Sequence, residues 1–333
     1  MKASSPHRLS VAPMMDWTDR HCRYFLRLIS RRALLYSEMI PAGAIVYGDR
    51  ARYLAFDPAE QPLALQVGGA DEDELARAAE AAAAAGYREL NLNVGCPSNR
   101  VQKARFGACL MAEPALVGQL VATMARASGL PVTVKCRIGI DQQDHYDDLK
   151  GFVETVAEAG CRSFAVHARK AWLKGLSPKQ NRELPPLRYD RVYRLKADFP
   201  ALEILVNGGI QSLDEALDHL GEVDGVMIGR AAYHNPYLLA EADRRIFGDG
   251  RPAPSRGEIV AGLLPYAARE VARGVPVKSI TRHILGLFNG LPGARQWRRH
   301  LSEEAHRPGA GPAVIEAAYE KVAEVLERRG EAA

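Results

Sequence analysis

Residues 131–170, PVTVKCRIGIDQQDHYDDLKGFVETVAEAGCRSFAVHARK, place one helix-sized segment between two short apolar stretches. Residues 132–135 and 163–167 are rich in β-branched and apolar side chains, which is typical of buried strands. Between them, residues 145–159 have helical spacing, and Gly160 is a residue type at which helices commonly end. A strand, a helix and a second strand in this order predict parallel strands joined by a crossover helix.

The same alternation recurs along most of the chain. The eight strand-like stretches are residues 9–12, 34–37, 63–66, 89–93, 132–135, 163–167, 204–206 and 225–228. A helix-sized segment follows each of them, most plainly residues 71–86, with Asp71 as an N-cap, an alanine-rich interior and Gly86 at the end. Eight such units favour a closed (β/α)8 TIM barrel over an open doubly wound sheet. We expect this α/β domain to span residues 1–247.

The composition changes at residues 248–255, GDGRPAPS, which are rich in glycine and proline. The helical segments beyond this break are residues 259–273, 277–287, 293–305 and 314–328. No stretch after the break has the pattern of a strand. We therefore expect a small all-α helical bundle over residues 256–333.

The bulk composition, with 47% apolar and 25% charged residues and a net charge of +4, is that of an ordinary globular protein. Five cysteines without a CxxC pair favour a reducing cytoplasm over a disulfide framework. We find no signal-peptide core and no apolar run long enough to cross a membrane. Metal-binding spacings such as HExxH are also missing, so we expect no metal site.

Positive charge is concentrated in two segments. Residues 162–198 hold ten Lys/Arg against three Asp/Glu, and residues 295–300, RQWRRH, form a second basic cluster. Clustered cations near an aromatic ring suit a polyphosphate partner, because each neutralised phosphate releases counterions. A solvated surface of mixed charge would have the same composition, so charge alone leaves both interpretations open.

Polar residues and glycines stand where the predicted strands end, which is the reactive rim of a TIM barrel. Singly, each has a structural explanation: Gln66 as a capped strand end, Lys135 in a rim salt bridge, His167 in the core. Their recurrence on one rim instead predicts a ligand site. The candidates are Pro13, Met14, Met15, Asp16, Gln66, Asn93, Lys135, His167, Asn207, Gly208, Gly209, Gly229 and Arg230.

These residue types suit a planar ligand that carries a phosphate. The glycine-containing turns at residues 208–209 and 229 let backbone N–H groups approach a phosphate, which commonly binds after the last two barrel strands. Gln66 and Asn93 can each donate and accept hydrogen bonds, as the edge of a flat heterocycle requires. FMN fits best, whereas no GxGxxG opens a helix after the first strand, which disfavours a dinucleotide.

Long stretches spread over nearly the whole chain also carry a family resemblance. They include SVAPMMDWTDRHCRYFLRL (10–28), NLNVGCPSNRVQKARFGACLM (91–111), PVTVKCRIGID (131–141), HARKAWLKGLSPKQNRELPPL (167–187), VMIGRAAYHNP (226–236) and PGARQWRRHLSE (292–303). The sequence resembles the tRNA-dihydrouridine synthases, flavoenzymes that reduce uridines of tRNA, and their A subfamily in particular. That family combines an FMN-binding TIM barrel with a C-terminal helical domain.

The resemblance implies a role for each candidate residue. The residues that would contact FMN are Pro13, Met14, Met15, Asp16, Gln66, Lys135, His167, Asn207, Gly208, Gly209, Gly229 and Arg230. The residues that would contact tRNA are Asn93, Lys179, Arg182, Arg295 and Arg298. The last four of these lie in the two basic clusters.

The resemblance also implies the reaction. NADPH would reduce FMN, and the flavin would deliver hydride from N5 to C6 of uracil at positions 20 and 20a of the D-loop. The cysteine of Gly-Cys-Pro, here Cys96, would give a proton to C5. From the residues alone, Cys96 and Cys109 could form a disulfide, bind a metal or act singly. With Cys96 as the proton donor, we expect Cys109 to be a small buried thiol. No role is assigned to Cys22, Cys136 or Cys161.

Two other functions remain open at this point. One is an FMN-dependent dehydrogenase of a free pyrimidine, although a small substrate needs neither the basic clusters nor the helical tail. The other is an RNA-binding protein without catalytic activity, which the crowded barrel rim disfavours. We expect the protein to be a monomer.

Overall fold

The computed structural model describes residues 5–330, and its centre is a closed ring of eight parallel strands. The described chain has nine strands, and all except β3 form the ring: β1 (Leu9–Val11), β2 (Leu34–Tyr36), β3 (Ile40–Pro41), β4 (Leu63–Gly68), β5 (Glu89–Asn93), β6 (Val132–Arg137), β7 (Ser163–His167), β8 (Glu203–Asn207) and β9 (Gly225–Ile228). The ring closes where β2 pairs with β4 and where β1 pairs with β9. The two-residue β3 lies beside β4 outside the ring. The predicted (β/α)8 barrel is confirmed.

Helices cover the outside of the barrel. They are α1 (Arg20–Ile29), α2 (Ala42–Tyr47), α3 (Arg50–Leu54), α4 (Glu72–Ala84), α5 (Asn99–Lys103), α6 (Pro114–Ser128), α7 (Tyr146–Glu158), α8 (Tyr189–Asp198), α9 (Leu213–His219), α10 (Arg230–His234) and α11 (Ala242–Phe247). Short 3-10 turns are Pro6–Arg8, Pro58–Glu60, Gly107–Ala112, Gln180–Arg182 and Pro236–Leu239. The predicted N-cap of α4 is confirmed, since the Asp71 side chain accepts from the Glu74 amide at 2.9 Å.

The N-terminal end of the barrel is closed by an ionic cluster. His7 lies between the carboxylates of Glu89, 2.7 Å from its Nε2, and Glu203, which contacts its Nδ1. Burial lowers the pKa of His7, but hydrogen bonds to Glu203 and Glu89 outweigh it and raise the value to about 10. An imidazolium therefore joins strands β5 and β8 at this end, and the opposite end is left for ligands.

Four helices follow the barrel: α12 (Arg256–Ala272), α13 (Lys278–Ile284), α14 (Ala294–Glu304) and α15 (Ala313–Glu327). Trp297 is fully buried among them, and its Nε1 donates to the carbonyl of Ile284 at 3.0 Å. Asp19, which caps α1, also binds Arg282 and His283 of α13, so this carboxylate joins the two regions. The helical C-terminal region is as expected, and the division into domains at residues 248–255 stays a prediction.

Two strands are longer than predicted. Strands β4 and β6 each continue two residues past the predicted ends, through Gly68 and Arg137. The short helices α2, α3 and α5 were not predicted, because five or six residues are too few to establish a helical period. Within the described range, no helix is long and apolar enough to cross a membrane, and no cluster of three potential metal ligands occurs.

Candidate active site

A chain of amide side chains crosses the inside of the barrel near the C-terminal ends of β4 and β5. Gln66 Nε2 donates to Asn91 Oδ1 at 2.8 Å, and Asn93 Nδ2 donates to Gln66 Oε1 at 2.8 Å. Asn91 in turn donates to Thr133 at 2.9 Å. All four side chains are buried, so their orientations are fixed by one another. Gln66 keeps one amide hydrogen that no described residue accepts, and it is free for the edge of a ligand.

Lys135 and His167 project from neighbouring strands beside this chain. Burial, followed by the nearby Arg137 charge, lowers the pKa of Lys135 to about 8. Burial, again with Arg137 and Lys135 as the neighbouring cations, lowers the pKa of His167 well below its usual range. His167 is therefore neutral at pH 7, and Lys135 is a cation whose charge is weakly held. Within residues 5–330 no carboxylate pairs with either of them.

The glycines after β8 expose backbone at the rim. Gly208 and Gly209 have φ of +112° and +81°, which disfavour side chains. A Cβ on Gly208 would lie 2.6 Å from the His167 ring, so the imidazole packs directly on the main chain there. The Asn207 side chain donates to the Met227 carbonyl at 2.7 Å and ties β8 to β9. At Gly208 and Gly209, any ligand contact would come from the backbone.

Next to these glycines, Arg230 is already paired. Its Nη1 donates to Glu183 Oε1 at 2.8 Å, and both side chains are partly exposed. A Cβ on Gly229 would meet only Ala12, at an ordinary contact distance of 3.9 Å. A phosphate bound here would therefore share Arg230 with Glu183.

The segment after β1, which contains Pro13, Met14, Met15 and Asp16, forms a tight turn at the rim. The Thr18 hydroxyl accepts from the Met14 amide at 2.9 Å, and Asp16, with φ of +63°, donates its amide to Glu38. Met15 is 54% exposed, which leaves an apolar side chain free above the barrel mouth. Trp17 stacks on Tyr233 at 4.3 Å between ring centroids, and this contact anchors the turn.

The turn that carries Cys96 has a partner for every backbone polar group. Asn93 Oδ1 accepts from the amides of Gly95 and Cys96 at 3.2 and 3.0 Å. The Cys96 carbonyl accepts from the Ala108 amide at 2.9 Å. The Gly95 and Pro97 carbonyls accept from Arg137 and Gln102 side chains at 2.9 and 2.8 Å. The thiol, which is half-buried and free, is thus presented by a fixed backbone.

Asn93 also has a structural role, and its contact with RNA stays a prediction. It is buried, and its side chain holds both Gln66 and the Cys96 turn. Cys109 was expected to be buried but is only partly buried, as Cys96 is, and its thiol donates to the Phe106 carbonyl at 3.2 Å. Of the five cysteines, all free, Cys22, Cys136 and Cys161 are the buried ones.

The four cations expected to bind RNA occupy two places. Lys179 and Arg182 lie in the loop after β7, where Arg182 interacts with Cys96, whereas Arg295 and Arg298 are exposed on α14. Arg295 and Arg298 line an open depression of about 400 Å³. None of the four forms an ion pair with another described residue, whereas the neighbouring Arg188, Arg191 and Arg299 each pair with a carboxylate.

Sequence reasoning missed two arginines in this region. Arg137 is 3% exposed and interacts electrostatically with Cys96. Arg169 Nε is buried without a hydrogen-bond partner in the described chain, while its Nη1 donates to the Pro185 carbonyl. Each follows a predicted site residue by two positions, and this period of two would have placed Arg137 on the same side of β6 as Lys135.

These features fit a flavin phosphate. Bare glycine backbone, a buried arginine N–H without a partner and cations without carboxylates suit an anionic group. The amide chain at Gln66 suits the donor and acceptor edge of a flat ring. The arrangement can therefore hold a planar anionic cofactor at the barrel mouth, with one thiol beside it.

Comparisons with known proteins agree with this geometry. A family model described as dihydrouridine synthase (Dus) matches residues 10–323. The tRNA-dihydrouridine(20/20a) synthase of Vibrio cholerae is 58% identical over 316 residues, which cover 95% of this chain and 96% of that protein. The protein of the same name from Yersinia pestis is 58% identical over 312 residues, covering 93% and 90%. The one from Xanthomonas campestris is 56% identical over 314 residues, covering 94% and 93%.

Among solved structures, morphinone reductase superimposes with a TM-score of 0.51 at 12% identity, over 76% of this chain and 88% of that one. At this identity the similarity supports the barrel fold alone. The family model spans most of the barrel and the C-terminal helices, and the relatives match nearly end to end. The chain belongs to the dihydrouridine synthase family.

Proposed function

We propose that this protein reduces the C5–C6 double bond of uridines 20 and 20a in the D-loop of tRNA to 5,6-dihydrouridine. FMN would be its bound cofactor and NADPH the reductant. The observation that carries the proposal is the fixed Cys96 turn, which holds a free thiol on the same rim as the flavin-compatible site. The names of the relatives supply the substrate class and the positions.

Different residues at the rim would bind the phosphate and the ring of the cofactor. The backbone at residues 207–209 and 229, with Arg230 and Arg169, would bind the phosphate. Gln66, Lys135 and the neutral His167 would meet the ring, and Met14 and Met15 would cover it beside Pro13 and Asp16. The bound flavin supplies hydride to C6 of the target uracil.

Cys96 supplies the matching proton. Addition of hydride at C6 places negative charge on C5 and O4, and transfer of the Cys96 proton to C5 completes the single bond. The thiolate left behind regains its proton from solvent. Lys135 lies close enough to interact with Cys96, and this cation stabilises the negative charge during the transfer.

The RNA would be held outside the barrel mouth. A uracil inside folded RNA has to be turned out of its stack before it can enter such a site. Lys179 and Arg182 at the rim and Arg295 and Arg298 on α14 are cations without ion-pair partners in residues 5–330, and phosphates are their natural ligands. We place the enzyme in the cytoplasm, since its five cysteines are all free, and we keep the expectation that it is a monomer.

Three measurements test the proposal. The purified protein should show flavin absorbance, and tRNA added after reduction by NADPH should reoxidise it. Cys96→Ala should keep the flavin and bind tRNA but form no dihydrouridine. Mapping of dihydrouridine at nucleotide resolution in a strain without this protein should show losses at positions 20 and 20a.

The free-pyrimidine alternative makes the opposite prediction. Free uridine or uracil would then reoxidise the flavin as fast as tRNA does, and substitution of the unpaired cations would have no effect. A colourless protein that binds tRNA without flavin would instead point to an RNA-binding protein.

A further inference from the structure

The Cys96 turn is bonded to a second loop through two side chains that sequence reasoning did not single out. We call residues 169–188, which connect β7 to α8, the strap. Gln102 Nε2 donates to the Pro97 carbonyl at 2.8 Å and to the Leu173 carbonyl in the strap at 2.9 Å. Arg137 Nε donates to the Gly95 carbonyl at 2.9 Å. Its Nη1 donates to the strap carbonyls of Lys170 and Asn181, at 3.1 and 3.0 Å.

We propose that Arg137 and Gln102 are positioning residues that lock the Cys96 turn to the strap, so that RNA bound on the strap aligns the proton donor. The inference rests on the function proposed above, because the strap carries Lys179 and Arg182. Neither residue touches the reacting atoms in this proposal. Both act through the backbone carbonyls that flank Cys96.

The choice of an arginine at position 137 is hard to explain by stability. Its guanidinium is buried, has no carboxylate partner among the described residues, and donates to main-chain carbonyls alone. Burial, together with Arg182 and Arg169, lowers its pKa to about 10, so the charged form is disfavoured there. Three carbonyls from two separate loops converge on it, and the planar fork of donors in arginine matches that geometry where lysine does not.

The strap is rigid enough to transmit its position. The fully buried Asn181 side chain accepts from the Trp172 amide at 2.7 Å and donates to the Trp172 carbonyl at 2.9 Å, closing the loop on itself. Arg182 is the next residue after the Asn181 carbonyl that Arg137 binds. A phosphate held by Arg182 is therefore connected to the Gly95 carbonyl through the Arg182 side chain, one peptide unit and the Arg137 side chain.

The test uses Gln102→Leu, which keeps the size of the side chain but removes both hydrogen bonds, and Arg137→Lys. For Gln102→Leu we expect the rate of flavin reoxidation by saturating tRNA to fall roughly tenfold, the value for two lost hydrogen bonds. KM for tRNA and the rate of flavin reduction by NADPH should stay within about twofold of wild type. Arg137→Lys should retain part of the rate that Arg137→Gln loses, because an ammonium group has three N–H donors for these carbonyls and an amide has two.

Arg27→Lys is the matched control. Arg27 is likewise buried, donates only to backbone carbonyls and has its pKa lowered to about 10 by burial, but it lies beside Glu60 and Pro62, away from Cys96. The control variant should lose stability without a change in tRNA-dependent reoxidation. Equal losses of rate in Arg27→Lys and Arg137→Lys would mean that both act through general stability, and the inference would be wrong.

A second readout is independent of flavin and RNA. In the flavin-free protein, amide hydrogen exchange should rise about tenfold in Gln102→Leu, both for residues 94–108 and for residues 170–184. If only one of the two segments loosens, they are not locked together and the inference fails. Failure of the proposed function would be seen differently, as a wild-type protein whose flavin tRNA does not reoxidise.

Discussion

Gly107 offers the sharpest test of how the backbone fixes Cys96. It has φ of +79°, and a Cβ built on it would lie 2.5 Å from the Cys96 carbonyl oxygen and 2.5 Å from Val101 Cγ1. Ordinary contacts of a Cβ begin at 3.4 Å, so Gly107→Ala requires the Cys96 carbonyl to retreat by about 0.9 Å. That movement stretches the 2.9 Å hydrogen bond from the Ala108 amide to the Cys96 carbonyl.

The expected loss of unfolding free energy in Gly107→Ala has two parts. Left-handed backbone with a side chain costs about 1–2 kcal/mol, and an overlap of this kind in a packed region adds about 1–3 kcal/mol. Gly129→Ala is the control, because Gly129 has φ of +67° and nothing within 4 Å of its built Cβ. The difference in unfolding free energy between the two variants therefore isolates the overlap at Cys96, and urea unfolding of both proteins measures it.

The same displacement of Cys96 should lower the rate of catalysis. A donor misplaced by about 1 Å loses on the order of a hundredfold in rate. Stopped-flow reoxidation of the reduced flavin by tRNA should therefore be slowed to this extent in Gly107→Ala and unchanged in Gly129→Ala. If Gly107→Ala is as stable as Gly129→Ala and reduces tRNA at the wild-type rate, the Cys96 backbone is not held as described.

Three further predictions concern charge. The pKa of His7 is about 10 in the folded protein, against 6.5 when unfolded, so the folded state gains at most about 5 kcal/mol below pH 6.5, and this gain is lost as pH rises toward 10. Thermal unfolding measured across this pH range should show the loss of stability, and His7→Gln should abolish the pH dependence. Lys135→Met should stabilise the flavin-free protein by at most about 3 kcal/mol at pH 7, with the gain shrinking from pH 8 to 10.5, yet weaken flavin binding in a titration. Arg298→Ala should lower the salt dependence of tRNA binding by about one ion, whereas Arg299→Ala, whose side chain pairs with Glu303 at 2.8 Å, should not.

The barrel itself could be predicted because its strands are buried on both faces. Burial imposes a continuous apolar run on each strand, and that local pattern is readable without knowledge of the partner strand. Polar residues at the ends of such runs, such as Gln66, Lys135 and His167, stand out for the same reason. Their position on one rim follows from the fold, since parallel strands all end at the same side.

The links between loops could not be predicted in this way. Gln102 and Arg137 matter through carbonyls that lie 71 and 44 residues away, and no period in the sequence encodes a side chain that binds a distant main chain. The role of Asn93 was missed for the same reason, because its partners Gln66 and the Cys96 amide come from different segments. The exposure of Cys109 depends on the path of residues 104–113, which a cysteine in an apolar context does not reveal.

Buried cations have carboxylate partners at the N-terminal end of the barrel and none in the described chain at the C-terminal end. At the N-terminal end His7 is matched by Glu89 and Glu203, so a buried cation there stabilises the fold. At the C-terminal end Lys135 and Arg137 have pKa values lowered by burial, and no carboxylate of the described chain pairs with them. Selection for stability alone would favour apolar residues at these positions, since an unpaired buried charge is destabilising. Their presence is explained if the negative charge they need arrives with the ligands, in the flavin, in the RNA and in the charge that develops on uracil during reduction.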